Sequence, residues 1–171
     1  AALFLILWLG FDTKNTQQKT NDRSRSIQGE QTGFSTLLAD AKEHLAPTEG
    51  EKVANLEKNS LLAADKTAKT DALKALSGFW YGFGNIPVAG GYADSVALED
   101  NSAEAWSVAG GTYFNGLIAA KDNQQIRSYC ASKAVKAFES AASLEPENAK
   151  HRVNLAMVYA EQPPVDNPMQ A

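Results

Sequence analysis

The strongest constraint on the fold lies between residues 106 and 141, where small and aromatic residues recur at helical spacing. In each of two stretches they stand at positions that share one face of an α-helix. Small residues let two helices approach closely, and aromatic rings fill the space between them. The pattern therefore predicts a tightly packed pair of helices. The residues are Trp106, Ala109, Gly110 and Tyr113 in the first stretch and Ala134, Phe138 and Ala141 in the second.

With Ala109 in the place of a leucine, the first stretch fits the spacing W-x2-L-G-x2-Y. The second fits A-x3-F and is followed by Pro146, which ends a helix. This combination resembles the tetratricopeptide repeat (TPR) family, whose unit is a helix–turn–helix of about 34 residues. The resemblance implies an all-α fold in which TPR-like hairpins stack into an α-solenoid.

The unit that carries this pattern, residues 102–148, is longer than the family's repeat. The interval between Tyr113 and Ala134 exceeds the usual one by about a dozen residues. We expect a first helix that Asn101 or Ser102 caps. The additional residues are expected to form a longer first helix through Ile118 or Ala120, a turn at residues 121–123 and an early start of the second helix.

Residues 33–69 are expected to form N-terminal helices that pack on the repeats. The first of them has an apolar face and is expected to end at Pro47. Thr48 and Glu51 have the spacing of a capping box, which predicts the start of the second helix. The apolar positions of the first helix are Phe34, Leu37, Leu38, Ala41 and Leu45.

Residues 70–101 resemble a degenerate TPR hairpin. Gly78 and Tyr81 keep the G-x2-Y spacing, although no tryptophan stands four residues before the glycine. The first helix is expected to begin near residue 70 and to end at Gly84. Pro87 then opens the second helix, since proline is favoured at helix starts.

Residues 149–171 are expected to hold the first helix of a further repeat. Either this repeat is truncated or the tail after the helix covers its apolar face, and truncation is favoured. Leu155, Ala156 and Tyr159 follow the L-G-x2-Y spacing with alanine for glycine, and Arg152 stands in the place of the tryptophan. The prolines at 163–164 end this helix.

The first eleven residues, AALFLILWLGF, are uncharged and strongly apolar. They are the end of a transmembrane helix, the end of a signal peptide or a buried core segment. The unbroken apolar run and the interfacial position of Trp8 favour a single-pass membrane anchor. Residues 12–32 have a polar composition that predicts a flexible tether.

The composition and motifs predict no catalytic function. A net charge of -4 and a pI near 5.2 disfavour nucleic acid as a partner. No nucleophile, phosphate-loop or metal-site motif is present, so we expect no cofactor, no metal and no small-molecule substrate. Cys130 is expected to be a buried apolar residue. The glycine pairs 90–91 and 110–111 are interpreted as packing positions, and Asp94, Glu99 and Asp100 as solvated or capping residues.

The TPR resemblance implies that the first helices of successive repeats line a groove for a protein partner. Residues that the core does not use are expected to face this groove. Among them, Lys150 and Asn154 are one turn apart and suit a carboxylate or a peptide backbone. The loop from Lys121 to Arg127 is a second candidate surface. The predicted groove residues are Glu104, Ser107, Val108, Gly111, Lys150, Val153, Asn154 and Met157.

These features predict a non-catalytic, membrane-anchored TPR scaffold or accessory subunit of a membrane complex, with the bilayer as a second partner through residues 1–11. The alternative is a chaperone-like factor beside a secretion or assembly machine, which holds client segments in the groove. Likeness to bacterial single-span TPR proteins favours a periplasmic domain of an envelope protein, whereas four basic tether residues favour the cytoplasmic side.

Overall fold

The computed structural model describes residues 33–163, which lie within the second of the chain's two units, Thr32–Ala171. These residues form α-helices and no strand, which confirms the all-α class for this part of the chain. None of its helices is long and apolar enough to cross a membrane. The expected anchor (1–11) and tether (12–32) lie outside the described residues. The helices are α1 (Phe34–Glu43), α2 (Pro47–Leu61), α3 (Lys66–Gly82), α4 (Ile86–Asp100), α5 (Ala103–Ala119), α6 (Gln124–Leu144) and α7 (Ala149–Glu161).

Polar side chains at the N-caps fix the starts of the last five helices. Ser102 accepts the N–H of Ala105 at 3.2 Å, as expected for the cap of α5. Asp65 accepts the N–H of Ala68 at 2.8 Å, so α3 begins at Lys66 and not near residue 70. The other caps are Asn85, Asn123 and Asn148.

The expected boundary between α1 and α2 is wrong in detail. The first helix ends at Glu43, and Pro47 is the first residue of the second helix. Proline suits this position because its missing N–H would have no partner there. The capping box of Thr48 and Glu51 does not form; instead the Glu49 carboxylate accepts the N–H of Ala46 at 2.9 Å.

From α2 onward each helix packs against the next one in the chain, and α5 also contacts α7. One apolar core joins α1 to α4, and Phe34 on α1 packs edge-on against Tyr92 on α4. A second core joins α5, α6 and α7. Alanines of α4, α5 and α6 form a third cluster between them. The result is a helical, repeat-like arrangement of successive hairpins.

The packing expected for residues 102–148 is present. Ala109, Tyr113 and Ala134 are fully buried. A Cβ at Gly110 would lie 2.7 Å from the Phe138 ring, so the glycine allows α5 and α6 to approach closely. The expected lengths of the two helices are also confirmed, because α5 extends to Ala119 and α6 begins at Gln124 after a short turn.

Gly78 and Tyr81, which keep the G-x2-Y spacing in α3, do not pack in the core. Gly78 is exposed and has open space where a Cβ would stand, and 47% of Tyr81 is exposed. Leu76 and Trp80, both fully buried, take the core positions instead. The larger apolar residues therefore set the rotation of this helix, and the G-x2-Y spacing turns toward solvent.

Of the glycine pairs expected at packing positions, one is confirmed and one only in part. A Cβ at Gly90 would meet the Tyr113 ring at 2.6 Å, and one at Gly91 would meet the Phe34 ring at 2.2 Å. Gly111, in contrast to Gly110, has nothing within 4 Å of a Cβ. Gly111 therefore has no packing role within the described residues.

Candidate partner-binding face

The eight predicted groove residues occupy two neighbouring helices, and we call them the α5–α7 face. On each helix they stand at i, i+3, i+4 and i+7, which is the spacing of one side of a helix. The two helices contact each other. The residues are Glu104, Ser107, Val108 and Gly111 on α5 and Lys150, Val153, Asn154 and Met157 on α7.

Three apolar side chains of this face are exposed to solvent. Val108 and Val153 each have 58% of their surface exposed, and Met157 has 47%. By contrast, Val158 on the same helix as Val153 is fully buried in the second core. A single exposed apolar residue needs no explanation, but several on adjacent helices are typical of an interaction surface.

The polar members of the face differ in their surroundings. Glu104 lies in the first turn of α5, and its side chain is exposed. A carboxylate there interacts favourably with the positive end of the helix dipole. Lys150 is exposed, and Asn154 is partly buried. Within residues 33–163 the side chains of Lys150 and Asn154 form no hydrogen bond with each other, so the expected pair is not preassembled.

Ser107 differs from the other members of the face because its side chain is hydrogen-bonded within the chain, to His151. Its Oγ lies 2.9 Å from Nδ1 of His151, and Nε2 of this histidine lies 3.2 Å from Oε2 of Glu145. His151 is only 4% exposed. Hydrogen bonds from Asn148, at 2.8 Å, and from His151 hold the pKa of Glu145 below its ordinary value. This network joins α5, the α6–α7 turn and α7.

The sequence gives no direct signal for this network, because its serine and histidine are 44 residues apart on helices that are not consecutive. Serine, histidine and glutamate joined by successive hydrogen bonds also form the catalytic triad of some nucleophilic hydrolases. However, Ser107 lies inside α5, where backbone N–H groups bond within the helix, whereas an oxyanion hole needs free donors. We therefore assign the network a structural role.

Another hydrogen bond extends the arrangement to α3. Nδ2 of Asn115 on α5 donates to the Tyr81 hydroxyl on α3 at 3.2 Å. Helices α3, α5 and α7 are thus linked side by side by these hydrogen bonds. The exposed Gly78 lies one turn before Tyr81 on α3, so both residues extend the surface beyond the eight predicted positions.

The loop from Lys121 to Arg127 is expected as a second contact surface, but Arg127 forms hydrogen bonds within the chain. The Arg127 guanidinium donates to the Leu117 carbonyl at 3.1 Å and to the Glu161 carboxylate at 2.9 Å. It therefore ties the end of α5 to the end of α7 and is not free for a partner. Lys121 has a positive φ of 41°, as expected for a tight turn.

The cysteine and the acidic residues considered for a chemical role are either buried or in ion pairs. Cys130 is fully buried, and burial raises the pKa of its thiol to about 12, which disfavours the reactive thiolate. Asp94 pairs with Lys133 at 3.2 Å, and Glu99 pairs with Lys69, so these carboxylates do not act together. No group of three potential metal ligands occurs among residues 33–163.

Comparisons of the chain with protein-family models, with curated proteins and with solved structures found no match.

Proposed function

We propose that this chain is a TPR-like, non-catalytic scaffold or accessory subunit of a membrane complex, which binds a protein partner on the α5–α7 face. The observation that carries the proposal is the exposure of Val108, Val153 and Met157 on two adjacent helices. The packing of Gly110 against Phe138 supports the TPR-like character of the hairpin beneath this face.

The chemistry of the face fits a polypeptide. Apolar side chains at helical intervals match the apolar side of a helix or of an extended segment, as in other helical grooves. Lys150 and Asn154 lie beside them and supply a cation and an amide for carboxylates or main-chain groups of the partner. Glu104 at the opposite helix disfavours a strongly acidic partner.

The proposed membrane location rests on residues 1–11. Their uncharged apolar sequence suits a bilayer, and the polar residues 12–32 then join the anchor to the helical domain. A chain of this length reaches at most about 70 Å when fully extended. We therefore propose a location at a membrane, with a slight preference for the periplasmic side.

Photocrosslinking in intact cells tests the proposal. A photoreactive amino acid replaces Val153 in one variant and Asn55, which is exposed on α2, in the control. We expect a discrete membrane-protein adduct from position 153 and none from position 55. The adduct should disappear when Met157 is also replaced by glutamate, because a charge would then enter the apolar contact.

Equal labelling from both positions, or none from position 153, would refute this assignment of the face. Adducts with many unrelated proteins would instead support the chaperone-like alternative. A reporter fused to the C-terminus and active in only one compartment determines the side of the membrane.

A further inference from the structure

Two consecutive leucines at the end of α2 are the most exposed large apolar side chains among residues 33–163. Leu61, the last residue of the helix, is 84% exposed, and Leu62 is 71% exposed. Ala63 and Ala64 follow before Asp65 caps α3. We call residues 61–64 the leucine tip, because the two leucines protrude at the corner between two helices and cover no core.

Exposed lysines stand on both sides of the leucine tip. Lys58 precedes Leu61 by one helical turn, and Lys66 is the first residue of α3. Lys58 forms no ion pair within the part of the chain that the structure describes. The carboxylate of Asp65 is engaged as a helix cap, since it accepts the N–H of Ala68 at 2.8 Å. The surface beside the two leucines is therefore cationic.

A third exposed leucine belongs to the same end of the helices. Lys66 donates to the Asp100 carbonyl at 3.5 Å, and Lys69 pairs with Glu99. The start of α3 therefore lies beside the end of α4. Leu98, in the last turn of α4, is 67% exposed. Both α2 and α4 thus contribute exposed apolar side chains at this end.

The first turn of α1 is connected to the end of α2 through α4. The Phe34 ring packs edge-on against Tyr92, with the ring centroids 5.3 Å apart. The Tyr92 hydroxyl donates to Oε1 of Glu57 at 2.6 Å, and Glu57 stands one helical turn before Leu61. The chain therefore enters α1, from the sequence that includes the apolar residues 1–11, close to the end of α2 that carries the leucine tip.

We propose that the leucine tip inserts into the interfacial region of a lipid bilayer, a proposal that rests on the membrane location proposed above. A protruding pair of leucines cannot be buried against a flat protein surface, whereas a bilayer deforms around it and removes the apolar side chains from water. Lys58 and Lys66 can then place their ammonium groups among lipid phosphates. The bilayer therefore suits both the shape and the charge of this corner.

Fluorescence of the full-length chain in vesicles tests the proposal. An environment-sensitive dye is attached to Ala64→Cys, which leaves both leucines in place. The dye does not label Cys130, because this residue is fully buried. The vesicles contain phosphatidylcholine, about 30% phosphatidylglycerol as the anionic lipid, and a lipid that carries a quencher near the top of its acyl chain. We expect a blue shift and quenching of the dye at position 64.

The control places the same dye at Asp122→Cys, in the exposed turn between α5 and α6. Helix α5 starts beside the end of α4 and has 17 residues, so this turn lies about 25 Å further along the helix axis. A dye at position 122 should stay in water. Equal quenching at positions 64 and 122 would contradict insertion through the leucine tip.

Two further variants measure what the leucines and the lysine contribute. Replacing both Leu61 and Leu62 by serine should lower the ratio of inserted to free tip roughly tenfold, because the apolar surface is lost. The fold should be unchanged, since both side chains are exposed, and circular dichroism checks this. Lys58→Gln should lower the ratio about fivefold in the anionic vesicles and leave it unchanged in pure phosphatidylcholine.

Vesicle flotation separates a failure of this proposal from a failure of the membrane location. A chain that floats with the vesicles while position 64 stays in water would overturn the insertion and leave the tip to a groove of another protein. The same conclusion would follow if the serine variant were quenched as strongly as the wild type. A chain that does not float with vesicles would refute the membrane location itself, and the insertion with it.

Discussion

His151 bridges Ser107 and Glu145, with its Nδ1 2.9 Å from the serine Oγ and its Nε2 3.2 Å from the glutamate Oε2. The imidazole therefore satisfies both ring nitrogens although it is 4% exposed. Because the three groups belong to α5, to the α6–α7 turn and to α7, this bridge fixes the last helix against the hairpin before it. The position of Val153 and Met157 relative to Val108 depends on that contact.

Replacing the bridging histidine should destabilise the fold. His151→Ala removes two hydrogen bonds and leaves a cavity, and we expect a loss of about 2 kcal/mol in the free energy of unfolding. Urea denaturation measures this loss. The matched control is His44→Ala, because His44 is exposed and should change stability by less than about 0.5 kcal/mol. Equal effects of the two substitutions would contradict the structural role of the bridge.

Alanine substitutions at the adjacent glycines Gly110 and Gly111 of α5 should change the free energy of unfolding in opposite directions. Gly111→Ala should raise the free energy of unfolding by about 0.5–1 kcal/mol, because alanine favours the helix and open space receives the Cβ. Gly110→Ala should lower it, since the new Cβ would stand 2.7 Å from the Phe138 ring. Thermal unfolding of both variants measures the difference, and a stabilising Gly110→Ala would show that α5 and α6 are less closely packed.

These helices also show what the sequence can predict. The packing of Gly110 and Tyr113 follows from residue size and helical spacing, so the motif predicts it. In α3, however, Gly78 and Tyr81 have the same spacing and face solvent, because Leu76 and Trp80 offer more apolar surface to bury. A short motif fails where larger neighbouring residues determine the rotation of the helix.

The hydrogen bonds of His151 to Ser107 and Glu145 cannot be predicted from residue size and helical spacing. The bridge joins residues 44 positions apart, and its geometry depends on how successive hairpins stack. Pairs of polar residues in sequence do not encode that relationship.

The Glu145 carboxylate should make stability depend on pH in the acid range. Hydrogen bonds from Asn148 and His151 lower its pKa in the folded protein from the ordinary value of 4.5. The unfolded chain therefore binds this proton first as the pH falls. The stabilisation is complete above pH 4.5 and is lost as the pH falls through the lower pKa of the folded state.

The matched variant is Glu145→Gln, which keeps an acceptor oxygen but does not ionise. Denaturant unfolding at pH 7 and at about pH 3 should show a wild-type advantage at neutral pH that shrinks in acid. A difference that stays constant with pH would mean that the charge of Glu145 contributes nothing.

Two valines of α7 should separate the binding face from the core. Val153 is 58% exposed and Val158 is fully buried, although both belong to the same helix. Val158→Ala should lower the free energy of unfolding by about 2 kcal/mol, from lost burial and the cavity that remains. Val153→Ala should have almost no effect on unfolding but should weaken the adduct formed from a photoreactive residue at position 108. If Val153→Ala destabilised the chain as much as Val158→Ala, the side chain would belong to the core, and the α5–α7 face would lose one of its three apolar contacts.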